Sequence, residues 1–164
     1  MQIDSRLHIH ALDPRDPTHA VVLVELLDLY ARDPMGGGKP LDDEARQHLA
    51  ERLAKRADYF GYVALIGTHP VGLMNCFEGF STFAARPLLN IHDLAVHPEW
   101  RGRGIGSALL AAAETLARHR GCCKLTLEVL SNNEGALKAY LRAGFAAYQL
   151  DPAAGQAMFM HKWL

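Results

Sequence analysis

Three cysteines, Cys76, Cys122 and Cys123, are all that the 164 residues contain. They make neither a disulfide framework nor a metal-ligand spacing. Long apolar runs are missing too: none approaches the ~18 residues that cross a bilayer, so no membrane partner is expected. Neither sign of charge dominates, because 17 basic residues face 18 acidic ones for a formal net charge of −1. Bulk attraction to nucleic acid or to an anionic membrane is thereby removed. The opening MQIDSRLHIH has no basic stretch followed by an apolar one, so no signal peptide is read and a cytoplasmic protein with reduced thiols is expected. Internal repeats and low-complexity segments are also lacking. A hydrophobic content of 49% over this length suits one domain, 1–164, with a sizeable core.

What the chain does have is the stretch NIHDLAVHPEWRGRGIGSALL, Asn90 to Leu110. Ile91 to Val96 reads as a buried strand that Pro98 stops. A basic glycine turn, Arg101-Gly102-Arg103-Gly104-Ile105-Gly106, then runs straight into an apolar-periodic helix. Strand, glycine turn and helix together aim backbone N–H groups and a positive helix end at one point, which suits a phosphate. Two other glycine turns are excluded. A dinucleotide fingerprint needs G-x-G-x-x-G, and position 109 is leucine; a P-loop needs lysine after its last glycine, and none follows Gly106.

Around this stretch the periodicities predict the remaining elements. Leu7–Leu12 alternates as a first strand, with His8 and His10 on one face. Two histidines without a third ligand make no metal site, and no metal is expected. Thr18 is the expected cap of a helix from His19 to Arg32, and Asp42 or Asp43 opens a second that reaches about Arg56. Between them Asp33-Pro34-Met35-Gly36-Gly37-Gly38-Lys39-Pro40 breaks any helix and reads as a mobile linker or a lip over a cleft. Tyr59–Ile66 and Val71–Phe80 read as antiparallel strands, and Ser81 to Leu88 as the connection to the strand at Ile91. The glycine-turn helix spans Ile105 to His119 with Gly121 after it. Lys124–Leu130 is a further strand, Glu134–Ala143 a last helix ended by Gly144, and Phe145–Leu150 and Met158–Trp163 two closing strands.

The pattern Arg-x-x-Gly-x-Gly at Arg101, Gly104 and Gly106, behind a buried strand and ahead of a helix, resembles the acetyl-CoA pyrophosphate loop of the GCN5-related N-acetyltransferases (GNAT). LEVLSNNEGALKAYLRAGF, Leu127 to Phe145, is similar to that family's strand, Asn-bearing turn and tyrosine-bearing helix before "GF". The resemblance covers Asn90 to Phe145 well and the first 80 residues only in element order. It implies an α/β (α+β) fold: a mixed central sheet of about seven strands flanked by about four helices. Two parallel strands, here Ile91–Val96 and Lys124–Leu130, would splay apart to admit the pantetheine arm.

Acetyl transfer to an amine requires a held cofactor, a polarised thioester, a base for the amine and an acid for the leaving thiolate. The backbone of Arg101, Gly102, Arg103, Gly104, Ile105, Gly106 and Ser107 is the expected pyrophosphate cradle, with Arg101 and Arg103 adding charge or merely solvated. The resemblance implies that Leu94, Ala95 and Val96 pair with pantetheine as a further strand would, the Val96 N–H polarising the thioester. It gives Asn133 to the pantetheine arm, against a plain helix cap, and makes Tyr140 the acid, against a core tyrosine.

For the base, His92, Asp93 and Glu78 are polar groups in strands that otherwise read as buried. His92 stands where polyamine acetyltransferases have a glutamate and arylalkylamine acetyltransferases a histidine. Its ordinary pKa near 6.5 lets it take a proton from an ammonium, and its bland alternative is a hydrogen-bonded structural histidine. Alternation sends Asp93 to the opposite face of the strand. Glu78 would attract the amine or share the base work.

The function so implied is an acetyl-CoA-dependent N-acetyltransferase acting on the primary amine of a small molecule, with no metal. The alternatives are a non-catalytic acyl-CoA sensor on the same fold and an enzyme acting on a protein or peptide amine. A homodimer fits the resemblance, joined through edge or C-terminal strands such as Met158–Leu164.

Overall fold

A computed structural model describes residues 6–148 and 158–164. They fall into two compact units, the first ending at Leu127 and the second beginning at Glu128.

In the first unit the chain runs β1 (Leu7–Leu12), α1 (Pro17–Arg32), α2 (Asp43–Ala54), β2 (Tyr59–Ile66), β3 (His69–Ser81), β4 (Arg86–Val96), a 3₁₀ turn (Pro98–Trp100), α3 (Ile105–His119) and β5 (Leu125–Leu127). The five strands form one sheet in chain order, antiparallel from β1 to β4 and parallel between β4 and β5. Strand side chains alternate between the two faces. One face carries Val63 and Leu73, which pack with Leu23 and Leu26 of α1 and Leu53 of α2 into a core. The opposite face receives α3 through Ile105, Leu109, Leu110, Ala113 and Ala117. Gly72 of β3 makes that approach possible, since a Cβ there would stand 3.1 Å from Ile105 and from the Ala95 carbonyl. The mixed α/β architecture is the expected one.

Several boundaries differ from expectation, each for a local reason. Asp16, not Thr18, caps α1: its carboxylate accepts from the Thr18 and His19 N–H groups at 2.7 and 3.1 Å, and Pro17 occupies the first turn, where its missing N–H costs nothing. β4 begins at Arg86, because its first residues pair with Phe77–Ser81 of β3 in a long hairpin. β5 is only three residues, its ladder to β4 ending at Ile91↔Leu127. The second unit holds α4 (Glu134–Arg142), capped by Asn133 and followed by Gly144 at φ +89°. The two expected closing strands are not present in the described residues: 145–148 and 158–164 carry no strand, and 149–157 lie outside them. The sheet therefore has five strands among the described residues, not seven.

The glycine stretch after α1 is a built turn. Gly36 and Gly38 donate to the Asp33 carbonyl, Lys39 donates to the Ala31 carbonyl, and Met35 donates to the Asp33 carboxylate. Gly36 is required there, since a Cβ would lie 1.9 Å from the Tyr30 carbonyl oxygen. Asp28, a buried residue of α1, fastens the far end of the turn. It accepts from the Leu41 N–H at 2.9 Å and from Arg32 of α1 at 2.8 Å, and pairs with Arg46 of α2 at 2.7 Å.

Those donors, Arg32 first, hold the Asp28 carboxyl down to about 2. A carboxyl depressed in the folded state stabilises the fold fully above its unfolded value near 4, and that contribution is lost as pH falls toward 2. The variant Asp28→Asn is expected to melt several degrees below the parent protein at pH 7. The gap should narrow as thermal melts are repeated from pH 4 down to pH 2. A gap constant over that range would show that the carboxylate charge does not hold the turn.

Candidate active site

The site begins where β4 leaves β5. The His97 N–H donates to the Val71 carbonyl at 2.9 Å, so by strand alternation Ala95 also faces β3. Leu94 and Val96 then present their backbone groups away from β3, along the edge that β5 no longer covers. Beyond that edge the chain turns through Gly102 and Gly104, at φ +76° and +84°, into α3. Here the helices differ. Asp16, Asp42 and Asn133 cap α1, α2 and α4 with side-chain oxygens, whereas no side chain caps α3 among the described residues. The first N–H groups of a helix need a partner, and at α3 the positive end of the helix dipole is left for an anion. Gly106 is not required by its own φ or by crowding, since an added Cβ would meet Leu94 and Val96 at ordinary contact distances of 3.7 and 3.9 Å. Its lack of a side chain keeps clear the space beside that helix end.

The two arginines of the turn work within the chain. Arg101 donates from Nε to the Val96 carbonyl at 3.1 Å and pairs with Asp33, at the end of α1, at 2.8 Å. Arg103 lies over the Trp100 ring at 4.6 Å and donates to the Glu99 carbonyl at 3.2 Å. Ile105 is buried and Ser107 exposed on the first turn of α3.

On the α1–α2 face a cavity of about 310 Å³ opens beside β4. Its walls come from Leu27, Tyr30 and Ala31 of α1, Gly36 and Leu41 of the turn, Leu49 and Leu53 of α2, Asn75 and Phe77 of β3, and His92 with Asp93 of β4. His92 and Asp93 share this cavity, which corrects the expectation that Asp93 faces the other way. The cause is a β-bulge: Asn75 pairs with Asp93 and Cys76 with Ile91, so His92 is an extra residue opposite the Asn75–Cys76 step. A bulge re-aims one side chain and restores alternation one residue late.

The His92 ring meets Phe77 edge-on at 5.5 Å. Asp93 accepts from Asn75 Nδ2 at 2.9 Å, and Asn75 Oδ1 accepts from the Tyr59 hydroxyl at 2.9 Å. Burial, reinforced by Cys76 and then Asp93, pushes the Tyr59 phenol well up, so it stays a donor and fixes which way the Asn75 amide points. Sequence reasoning missed Asn75, Tyr59 and Tyr30. A signal existed for Asn75, an amide inside the apolar run Val71–Phe77 that needs a partner when buried.

Glu78 is not brought to this cavity. It alternates with Asn75 and Phe77, faces the α3 side and is bound by Arg120 at the end of α3, whose guanidinium holds its carboxyl below the usual range. Cys76, buried on the same side, has its thiol pushed up to about 12 by burial and then by Asp93. It is a packed thiol, not a nucleophile. In the second unit Asn133 uses its side-chain oxygen to cap α4 through the Ala136 N–H at 3.2 Å. Tyr140 is half-buried in α4, with its ring 5.9 Å from that of Phe145.

Comparison with known proteins bears on the family and the fold. The chain is 37% identical over 94 residues, 57% of its length, to an uncharacterized N-acetyltransferase of Methanocaldococcus jannaschii. It is 44% identical over 77 residues, 47% of its length, to a streptothricin acetyltransferase of Streptomyces lavendulae. It spans less than half of either relative, 42% and 41% respectively. A solved aminoglycoside acetyltransferase from an uncultured soil metagenomic sample, in complex with trehalose, has the same fold. It superposes with a TM-score of 0.79 over 99% of both chains at 23% identity. The model of the acetyltransferase (GNAT) family matches residues 23–145, and the chain belongs to that family.

Proposed function

We propose that the protein is an acetyl-CoA-dependent N-acetyltransferase whose acceptor is the primary amine of a small molecule. The observation that carries this is the open edge of β4 running into an α3 that no side chain of the described residues caps. GNAT acetyltransferases use acetyl-CoA, and the residues present suit its parts. The backbone of Leu94 and the Val96 N–H offer pantetheine groups to pair with, the Val96 carbonyl being taken by Arg101, and the turn from Arg101 to Ser107 offers the pyrophosphate N–H donors. Arg101 and Arg103, engaged with Asp33 and Trp100, shape the turn, and the helix end and backbone amides add positive potential to that of Arg103. The relatives named for streptothricin and aminoglycosides support a small-molecule acceptor.

Acetyl-CoA supplies the acetyl group: the amine nitrogen bonds to its carbonyl carbon, the carbon–sulfur bond breaks, and sulfur leaves as a thiol. The chain's residues manage the protons and charge. His92, in the cavity beside the open edge, takes the proton that the amine loses. The Val96 N–H stabilises the oxygen that gains charge. By the resemblance Tyr140 gives the proton that the sulfur takes, and the NH2 group of Asn133 holds a pantetheine carbonyl. The base role goes to His92 and not to Glu78, whose carboxylate Arg120 occupies.

Calorimetric titration with acetyl-CoA and thiol release with a panel of amines test this reading. His92→Ala and Tyr140→Phe should each bind acetyl-CoA as the parent does and lose roughly 10²- to 10⁴-fold in kcat, the usual worth of a general base or acid. Absence of acetyl-CoA binding by the parent protein would sink the whole reading.

Gly106→Ala separates cofactor binding from folding. Alanine in a helix interior is favoured over glycine by roughly 0.5–1 kcal/mol, and the added Cβ has room within the chain. The variant should therefore melt no lower than the parent, yet bind acetyl-CoA at least about tenfold more weakly, a loss of about 1.4 kcal/mol. Unchanged affinity would place the pyrophosphate elsewhere.

A further inference from the structure

We infer that the acceptor is a compact monoamine with an apolar body, an alkyl or arylalkyl amine, whose ammonium rests on Asp93. This deepens the transferase reading and depends on it. The walls of the cavity are mostly hydrocarbon: Leu27, Leu41, Leu49 and Leu53 on the helix and turn side, and Phe77 on the sheet. Its volume of about 310 Å³ stands at the low end of the roughly 300–1,000 Å³ typical of small-molecule sites. A short body that buries carbon gains there, whereas the hydroxyls of a polyhydroxylated body would meet hydrocarbon walls.

Charge narrows the class further. Asp93 is the one carboxylate among the lining residues. The neighbouring acids are already engaged: Asp28 with Arg32 and Arg46, Asp33 with Arg101, and Asp42 with the first turn of α2. Asp93 has no lysine or arginine partner among the described residues. It accepts one neutral amide hydrogen, on Oδ2 from Asn75, and an ionised carboxylate has further lone pairs to offer. One ammonium is therefore matched. A second ammonium held inside the cavity would lie against leucine, where an unpaired charge is strongly disfavoured.

The bulge places the two groups this needs on consecutive residues of one face, Asp93 to hold the ammonium and His92 to take its proton. The reaction is the one already given: a nitrogen–carbon bond forms and a carbon–sulfur bond breaks. The ammonium nitrogen gives up two protons, one to His92 and one that replaces the proton Tyr140 passes to the leaving sulfur. The neutral amide product no longer carries the charge that Asp93 holds, so its release is favoured.

Thiol release from acetyl-CoA by the full chain, with 2-phenylethylamine, spermidine and kanamycin as acceptors, tests the inference. The parent protein should show kcat/KM for 2-phenylethylamine above that for either polycation by roughly 100-fold or more. Asp93→Asn should raise KM for 2-phenylethylamine roughly 10- to 100-fold, the worth of a hydrogen bond to a charged group, with acetyl-CoA affinity unchanged. A merely structural Asp93 would lower the melting temperature and kcat without that selective rise in KM, and this outcome overturns its role. Fastest turnover with kanamycin or spermidine overturns the monoamine inference and leaves the transferase reading standing. No thiol release with any acceptor overturns both.

Discussion

The parting of β4 from β5 is the constraint on which the site depends. A strand that loses its neighbour exposes a row of N–H and C=O groups, and such groups do not remain unpaired at low cost. Here the ladder stops at Ile91↔Leu127 while β4 continues to Val96. The continuation is held from the other side by β3, as far as the bond from His97 to Val71. Beyond its bulge the strand stays paired to β3, and β5 does not cover its other edge. The same chain then turns through two left-handed glycines into a helix that no side chain of the described residues caps. Backbone groups that β5 does not cover and helix N–H groups that no side chain of the described residues caps lie close together in sequence. A long ligand with amides at one end and phosphates at the other answers both.

Arg101 shows how a residue typed by its charge is used for its shape. A planar guanidinium with five donors can hold two partners in fixed directions. Arg101 uses one edge on the last carbonyl of β4 and the other on Asp33, which is 68 positions away in sequence. Asp33 in turn anchors the glycine turn through its own carbonyl and carboxylate. The end of β4 and the glycine turn at the cavity are thus joined through one side chain. Asp28 fastens the other end of that turn to α2. Three consecutive glycines look like slack in a sequence, but here they serve close packing: Gly36 sits on the Tyr30 carbonyl, where no side chain fits.

Much of this was legible in the sequence. β1, β2 and α3 have the boundaries that alternation and helical periodicity predict, because their apolar patterns are clean and glycine or polar turns flank them. The shape of the turn ahead of α3 was legible because glycine spacing is a direct record of backbone shape. The cap on α1 was missed because Asp16-Pro17-Thr18 offers two capping residues, and only Pro17 at the first helical position decides between them. The start of β4 was missed because Arg86, Pro87 and Asn90 interrupt its apolar run, while backbone pairing with β3 holds it regardless. The bulge left no mark at all. It is a mismatch of register between β3 and β4, and neither strand alone contains that information.

That one mismatch alters the chemistry more than any boundary does. In an unbroken strand His92 and Asp93 would stand on opposite faces, one toward the cavity and one toward α3. Either the proposed base or the proposed anionic anchor would then be lost from the cavity. With the extra residue inserted, both face the cavity, and alternation resumes in time for Leu94 and Val96 to turn toward α3. Their backbone groups still reach the open edge. The Tyr59–Asn75–Asp93 chain fixes the carboxylate that results: a protonated phenol orients an amide, and the amide orients the acid. All three residues come from strands in one sheet, so the anchor is as rigid as the core beneath it. On the proposed reading, a site assembled this way selects its acceptor through what its walls lack, namely a second carboxylate.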